Sequence, residues 1–500
     1  MQGFLTWLEG AVGTINTYLA DYILVILLIG VGLFFTIRTR FAQVRYFGQG
    51  LKNVFGNIKL KGGKQKSGMS SFQAFATAVA AQVGTGNIVG ACGAILLGGP
   101  GAIFWMWVIA FFGMATIYAE AVLAQKTRKV NSDGSVSGGP VYYIRTAFKG
   151  KFGKFLAGFF AVAVIISLGF VGSMVQSNAI SSAVASAGGF NYAEWGWIVG
   201  LVIGAVALLI FLGGAKRIAS VTEKIVPIMA IVYILGCVVI LGFRITALPE
   251  AVWMIIKFAF TPDAIVGGGI GYALKTAISM GAKRGLFSNE AGMGSTPHAH
   301  AQANVKTAHE QGTVAIVSVF IDTFIVLTMT ALIVITTLYA GNGPIAQISQ
   351  SAIQNGTSVK DAVAQAGYAS DSLVRMAIAT LFADSSVGGI IGSVFVAVCL
   401  TFFAFSTIIS WNLFGRINFE YLFGKKSSLV YSIIAVIFVL LGSLLSNGLV
   451  WNFNDLFNYL MVIPNVIALI ALSGLVVKEL KINGKKSVGK TPNQALNTQL

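Results

Sequence analysis

Apolar residues in this chain fall in long runs, each broken from the next by a short polar or basic stretch. Measured against the roughly 20 residues that a helix needs to cross a bilayer, the runs read as eleven spans. They cover approximately 19–37, 70–98, 101–125, 155–185, 195–213, 218–243, 264–302, 312–340, 386–413, 428–446 and 454–477. The second span, SSFQAFATAVAAQVGTGNIVGACGAILLGG, is interrupted in its middle by Val83-Gly84-Thr85-Gly86-Asn87. Glycine in a helix interior costs about 1 kcal/mol relative to alanine, and unwound backbone at membrane depth is tolerated only against protein or a watery cavity. This break is therefore read as a binding site.

Counted from the opposite face, the seventh span meets a second interruption. Two placements are open for it. Ile278-Ser279-Met280-Gly281-Ala282 lies about 14 residues from a start near Ala264, matching the depth of Val83 in the second span at 1.5 Å per residue. Ser288-Asn289-Glu290-Ala291-Gly292-Met293-Gly294 is the more conspicuous motif, but the same count carries it towards the cytoplasmic surface. Depth favours the first. Two broken helices that open successive five-span blocks from opposite faces point to an inverted-repeat transporter with a midplane site. The expected division is 1–69 for an extra helix and basic loop, 70–243 and 244–477 for the two repeats, and 478–500 for a cytoplasmic tail. The segment 341–385 is expected to hold a short interfacial helix.

Composition agrees with a polytopic membrane protein: 56% of residues are apolar, 10% are charged, and the mean hydropathy is +0.80. The net charge of +17 does not indicate nucleic acid, because the basic residues sit between apolar runs with no interleaved aromatic patch. They report topology instead. Of the 34 basic residues, only Arg244, Lys257, Lys275, Lys360 and Arg375 escape the face that also receives the loop before the second span. The positive-inside rule then places the N-terminus outside and the C-terminus in the cytoplasm of a plasma-membrane (cell inner membrane) protein. Cys92, Cys237 and Cys399 lie within apolar runs and read as buried thiols.

A broken helix exposes N–H groups at one half-helix terminus and C=O groups at the other, a pairing that suits a zwitterion. An amino acid is expected to place its carboxylate at Thr85 and Gly86, with Gln82 and Asn87 alongside and the Gln176 amide as a donor. Its ammonium would meet the carbonyls around Ile278 and Ser279, and Met280 beside Gly281 suggests a short pocket. Asp322, a carboxylate near midplane depth, is a coupling candidate by default. Its bland alternative is accepting hydrogen bonds from a broken helix. Trp411 and Phe170 are candidate pocket closures, weighed against ordinary packing. Glu120 and Glu290 are expected to pair with nearby basic residues as an inner gate. His298 and His300, two apart on a helix, point to different sides, and no metal pair is expected. No catalytic motif is found, and no protein partner is implied beyond the amino acid substrate and the bilayer. A channel would need a continuous polar path, whereas the polar residues here cluster at one depth.

The motifs QVGTGNIVG (Gln82 to Gly90) and RGLFSNEAGMGSTPHAHA (Arg284 to Ala301) resemble those of the alanine or glycine:cation symporters, over essentially the whole chain. The resemblance implies an all-α leucine-transporter-type fold, five plus five helices preceded by one more. It implies import of alanine or glycine driven by sodium or, as the alternative, by protons. Similarity to sodium-coupled leucine transporters at Val83–Asn87 further implies a sodium ion held by the carbonyls of Ala80, Val83 and Phe403 and the hydroxyls of Ser406 and Thr407. Asn87 falls where a second ion would lie, with Asp322 replacing a neutral amide nearby.

Overall fold

A computed structural model describes residues 2–56, 68–261, 270–382, 385–444 and 447–484. The expected start of the seventh span near Ala264 and most of the polar tail lie outside the described residues. What is described is helical apart from one small hairpin. The principal elements are α1 (Trp7–Arg38), α2 (Phe47–Phe55), α3 (Ser71–Gln82), α4 (Gly86–Gly98), α5 (Gly101–Thr127), β1 (Lys129–Val130) and β2 (Val136–Ser137). They continue with α6 (Pro140–Ala147), α7 (Gly150–Gly188), α8 (Tyr192–Phe211), α9 (Gly214–Gly242), α10 (Leu248–Phe260), α11 (Ile270–Asn289) and α12 (Pro297–Gln302). The last are α13 (Ala308–Leu338), α14 (Pro344–Gln354), α15 (Val359–Gln365), α16 (Leu373–Ala379), α17 (Ser385–Phe423), α18 (Lys425–Gly442), α19 (Asn447–Ala471) and α20 (Ser473–Glu479).

Among the described residues nine helices are long and apolar enough to cross a membrane, and the bent pair α3–α4 makes ten. The expected eleventh falls short because α11 carries Lys275, Lys283 and Arg284 within 20 residues. The segment expected to hold one interfacial helix holds three, α14 to α16.

The first broken span forms as its sequence dictates. Ser70 caps α3 in a reciprocal box with Gln73, so the helix has a defined start. At Val83 (φ −80°, ψ 88°) the helix ends, and α4 resumes from Gly86 at a 47° bend. α3 and α12 share one side of the bundle: Met69 N donates to Gln302 O (2.9 Å) and Asn304 N to Met69 O (2.8 Å). α4 and α11 share the other, where a Cβ on Gly98 would lie 3.2 Å from Ala277 and Met280. The two broken spans are therefore antiparallel.

The second interruption runs from Glu290 to Thr296, and the favoured placement at Ile278–Ala282 is wrong: α11 is continuous through it. The depth count failed at its origin. Ala277 and Met280 are level with Gly98, the far end of the first broken span, so the preceding turns of α11 lie beyond that level. Gly281 is a packing residue, since a Cβ there would sit 2.6 Å from Trp105 Cβ and 2.8 Å from the Ala102 carbonyl on α5. The same geometry moves Lys283 and Arg284 off the basic face to which the charge pattern assigned them. A Cβ on Gly90 of α4 would lie 3.9 Å from Arg284 Cδ, and Arg284 pairs with Asp455 at 3.8 Å.

On the basic side, the β1–β2 hairpin is tied down by Lys425, which reaches Asp133 at 2.9 Å and Ser135 at 2.8 Å. Hydrogen bonds from Ser135, then Lys425, hold the Asp133 carboxyl well below the usual carboxylate range, so this tie remains charged into acidic conditions. Cys92, Cys237 and Cys399 are buried free thiols.

If Gly281 serves packing, Gly281→Val overpacks the α5–α11 contact and lowers stability by about 1–3 kcal/mol. Thermal melting of the purified protein checks this; an unchanged melting temperature with lost alanine binding would return Gly281 to the pocket.

Candidate functional site at the crossing of two broken helices

The centre of the site is built from backbone that no helix satisfies. In α4, Asn87 folds its side chain back so that Oδ1 accepts from Gly84 N (3.0 Å), while Nδ2 donates to Asp322 Oδ1 (2.7 Å) and to the Asp322 carbonyl (3.1 Å). Thr330 Oγ1 donates to the Asn87 carbonyl (2.7 Å). Asp322 lies on a wide turn of α13 at Phe320–Leu327 and is fully buried. It also accepts from Ser288 Oγ (2.9 and 3.1 Å) and Thr323 Oγ1 (2.8 Å). One carboxylate thus joins α4, the end of α11 and α13. The two broken spans touch directly as well: Gln82 Nε2 donates to the Asn289 carbonyl (2.7 Å), and a Cβ on Gly86 would come within 3.1 Å of Ser288 Cα and the Phe287 ring. Gly86 is where the close approach requires glycine.

Beside this crossing lies a compact set of oxygens. Thr407 Oγ1 sits 2.8 Å from Ala80 O, 3.0 Å from Phe403 O and 3.4 Å from Val83 O, and Ser406 Oγ lies 2.9 Å from Phe403 O. All five residues of the expected sodium set come together between α3 and α17, which lie far apart in sequence. No carboxylate belongs to the set, and hard neutral oxygens suit a monovalent cation. Gln176 of α7 accepts from Thr85 N through Oε1 (3.2 Å) and flanks Gly84. Thr85 Oγ1 and Gln82 Oε1 are buried at the break without a hydrogen-bond partner among the described residues. Such groups cost about 1–3 kcal/mol unless something pairs with them.

The remaining candidates divide. Ile278 to Gly281 stand in mid-helix, away from the unwound backbone. Trp411 packs against Gly172 and edge-on to Phe287 (6.2 Å), closing one side of the crossing. Phe170 stacks instead on Phe438 (4.6 Å) and Tyr431, within the packing of α7 and α18. Glu120 and Glu290 are fully buried, and among the described residues neither carries a salt bridge, contrary to the expectation from their basic surroundings. Glu290 (φ 56°) accepts from Trp411 Nε1 (2.6 Å) and Ser295 Oγ (2.5 Å). Glu120 accepts from Gly292 N (3.2 Å) and Asn465 Nδ2 (2.6 Å), and Asn465 also donates to Gly292 O (2.9 Å). The glutamates hold the second break in shape, because Gly292 and Gly294, both at positive φ, turn its backbone groups away from helical partners.

Sequence reasoning passed over Asn465, Thr323 and Thr330, and it named Ser288 only as the start of the disfavoured placement of the second break. Asn465 had a signal, an isolated amide following Pro464 in the otherwise apolar YLMVIPNVIALIAL. The two threonines had none, since serine and threonine are common in membrane helices.

Removing the Glu120 carboxylate leaves Gly292 N without its acceptor and takes one of the two acceptors from Asn465 Nδ2, so Glu120→Ala is expected to cost about 1–3 kcal/mol. Melting of purified protein, which needs no transport assay, reads this. Glu120→Gln, able to keep one acceptor, is expected to recover much of the loss.

A family model described as "Sodium:alanine symporter family" matches residues 5–495. The chain is 39% identical over 471 residues to the sodium/alanine symporter AgcS of Methanococcus maripaludis, covering 94% of this chain and 96% of that one. It is 37% identical over 461 residues to the amino-acid carrier protein AlsT of Bacillus subtilis, covering 92% and 89%. Among solved structures, MhsT in complex with L-phenylalanine superposes with a TM-score of 0.54 at 16% identity, covering 83% of this chain and all of that one, a likeness of fold. Crossed broken helices, a dense buried polar centre and these similarities agree: this chain is a multi-pass transporter, not an enzyme, and belongs to the sodium:alanine symporter family.

Proposed function

We propose that this protein imports a small neutral amino acid, alanine or glycine, together with sodium by alternating access across the plasma membrane, the N-terminus outside and the C-terminus in the cytoplasm. The observation that carries this reading is the convergence of Ala80, Val83, Phe403, Ser406 and Thr407 oxygens directly beside the break at Gly84–Gly86. Sodium is cargo here. Bound among those oxygens, it ties α3 to α17 and fixes the adjoining break for the amino acid.

The substrate carboxylate is assigned to the break itself, at Thr85, Gly86 and Gln176, with the unpartnered Thr85 hydroxyl able to donate to it, while the free Gln82 Oε1, an acceptor, faces the ammonium instead. Its ammonium is assigned to the carbonyl end of α11 near Phe287 and Ser288, which replaces the earlier assignment to Ile278 and Ser279. Helix C-termini concentrate unpaired carbonyls and attract cations. Phe287 against Gly86 and Trp411 against Gly172 leave little room for a side chain, which supports a small substrate. The two broken spans, one in each of the repeats at 70–243 and 244–477, would bind the substrate and rock, with the remaining repeat helices as scaffold.

Asp322 favours a second reading. A buried carboxylate holding three side-chain donors is also a group on which a proton can ride, so proton coupling on the same scaffold is the competing mechanism.

Counterflow of labelled alanine at fixed pH, with and without sodium, separates the two, and undiminished uptake in sodium-free buffer would sink the sodium reading. Thr407→Ala is expected to raise the sodium concentration for half-maximal uptake by about tenfold, the equivalent of about 1.4 kcal/mol for one lost oxygen, with smaller change in alanine affinity at saturating sodium. Gly86→Val is expected to abolish both, because the added methyls meet Phe287 and Ser288. Normal uptake by that variant would mean the break is not the site.

A further inference from the structure

A groove on the outside of the bundle lies between α2, α3, α9 and α13, and it presents no polar atom at all. Its walls include Phe55 of α2, Phe75 and Val79 of α3, Val226 and Ile234 of α9, and Ile321 of α13. It opens to the surroundings of the bundle, since Phe55 is 52% exposed and Ile231, also in its wall, 58%. Along α9 it runs from Val226 to Ile234, about 12 Å at 1.5 Å per residue. With no polar atom in its walls it offers water no hydrogen bond, and a straight hydrocarbon chain has the right shape and chemistry.

Charge next to the groove residues in the chain points to which hydrocarbon. Lys52 on α2 and Lys224 on α9 are exposed, one adjoining Leu51 and the other two residues before Val226, both groove residues. No Asp or Glu occurs between Asp21 and Glu120, and the carboxylate adjoining Lys224 in sequence, Glu223, is buried. Basic residues beside a bilayer attract anionic headgroups at about 1 kcal/mol each. α2 is itself held in place as a cap on this end, by Asn53 Nδ2 donating to Thr313 Oγ1 (2.9 Å) and by Phe47 against Phe320 (4.7 Å).

We propose that this groove is a binding site for one anionic glycerophospholipid, its acyl chain lying along α3 and α9 and its headgroup held at Lys52 and Lys224. The consequence reaches the transport site. Phe75 and Val79 line the groove, while Ala80 and Val83 of the same stretch supply oxygens to the Thr407 cluster. An acyl chain there braces α3 in the position where those oxygens meet α17. This second step rests on the proposed sodium role; the lipid site itself does not.

The test is native mass spectrometry of the full-length protein released from nanodiscs containing phosphatidylglycerol and phosphatidylcholine of matched chains. The wild type is expected to retain one phosphatidylglycerol. Ala230→Trp fills the groove and is expected to lower retention at least fivefold. The paired charge reversal Lys52→Glu with Lys224→Glu, at exposed positions outside the packing, is expected to abolish the preference for phosphatidylglycerol over phosphatidylcholine. A wild type that retains no lipid, or a charge-reversed protein with an unaltered preference, overturns the site, whether or not Ala230→Trp folds. Sodium titration of alanine uptake, measured separately on the same samples, is expected to show a several-fold higher sodium requirement without phosphatidylglycerol. Specific retention with no such change would leave the site standing and refute the bracing of α3.

Discussion

Backbone hydrogen bonding in hydrocarbon is the constraint on which this structure depends. A helix broken in mid-membrane strands donors and acceptors that water cannot reach, and each stranded group costs on the order of a kcal/mol or more. Here the first break is served by Asn87, which closes back on Gly84 and reaches Asp322, and by Gln176, which accepts from Thr85. The second is served by Glu120, Glu290 and Asn465. Nearly every polar residue of the centre has such a task.

The two breaks are not equivalent. The first is short, bent by 47°, and leaves the oxygens of Gln82 and Thr85 without partners. The second is longer and is tied on both sides by buried carboxylates, whose charge or proton is confined by Trp411, Ser295, Asn465 and Gly292. A ligand therefore has more to gain at the first, while the second behaves as a shaped abutment that presents the end of α11. Asp322 couples them, since Asn87 and Ser288 both donate to it.

The same centre is coupled outward through α3. One stretch of that helix places the Ala80 and Val83 carbonyls beside Thr407 and also forms the wall of an apolar groove, so the groove and the oxygen cluster share one element. The far end of α3 is pinned to α12 through Met69 and Gln302, and the hairpin lies close by, where Gln302 Nε2 donates to the Val136 carbonyl (2.9 Å). Movement of α3 would disturb its contacts at the groove, at Thr407 and at α12 together.

Much of this was legible along the chain. Long apolar runs report spans because hydrocarbon acts on each residue independently, and the glycines and Asn87 announced the first break because nothing else explains their presence there. The oxygens now gathered around Thr407 could be nominated by resemblance, residue by residue. The second break was misplaced because depth was counted from an assumed membrane surface, and only packing of Gly98 on Ala277 and Met280 shows where α11 lies. Glu120 and Glu290 were read as ion-pair partners because sequence proximity to lysines stands out, whereas a buried amide from Gly292 or an indole N–H from Trp411 leaves no mark in sequence. Local composition thus determined most of the membrane-length apolar helices and where one of them must break. Tertiary structure decided which groups satisfy the breaks, because hydrogen bonds are directional and short and depend on contacts between helices distant in the chain.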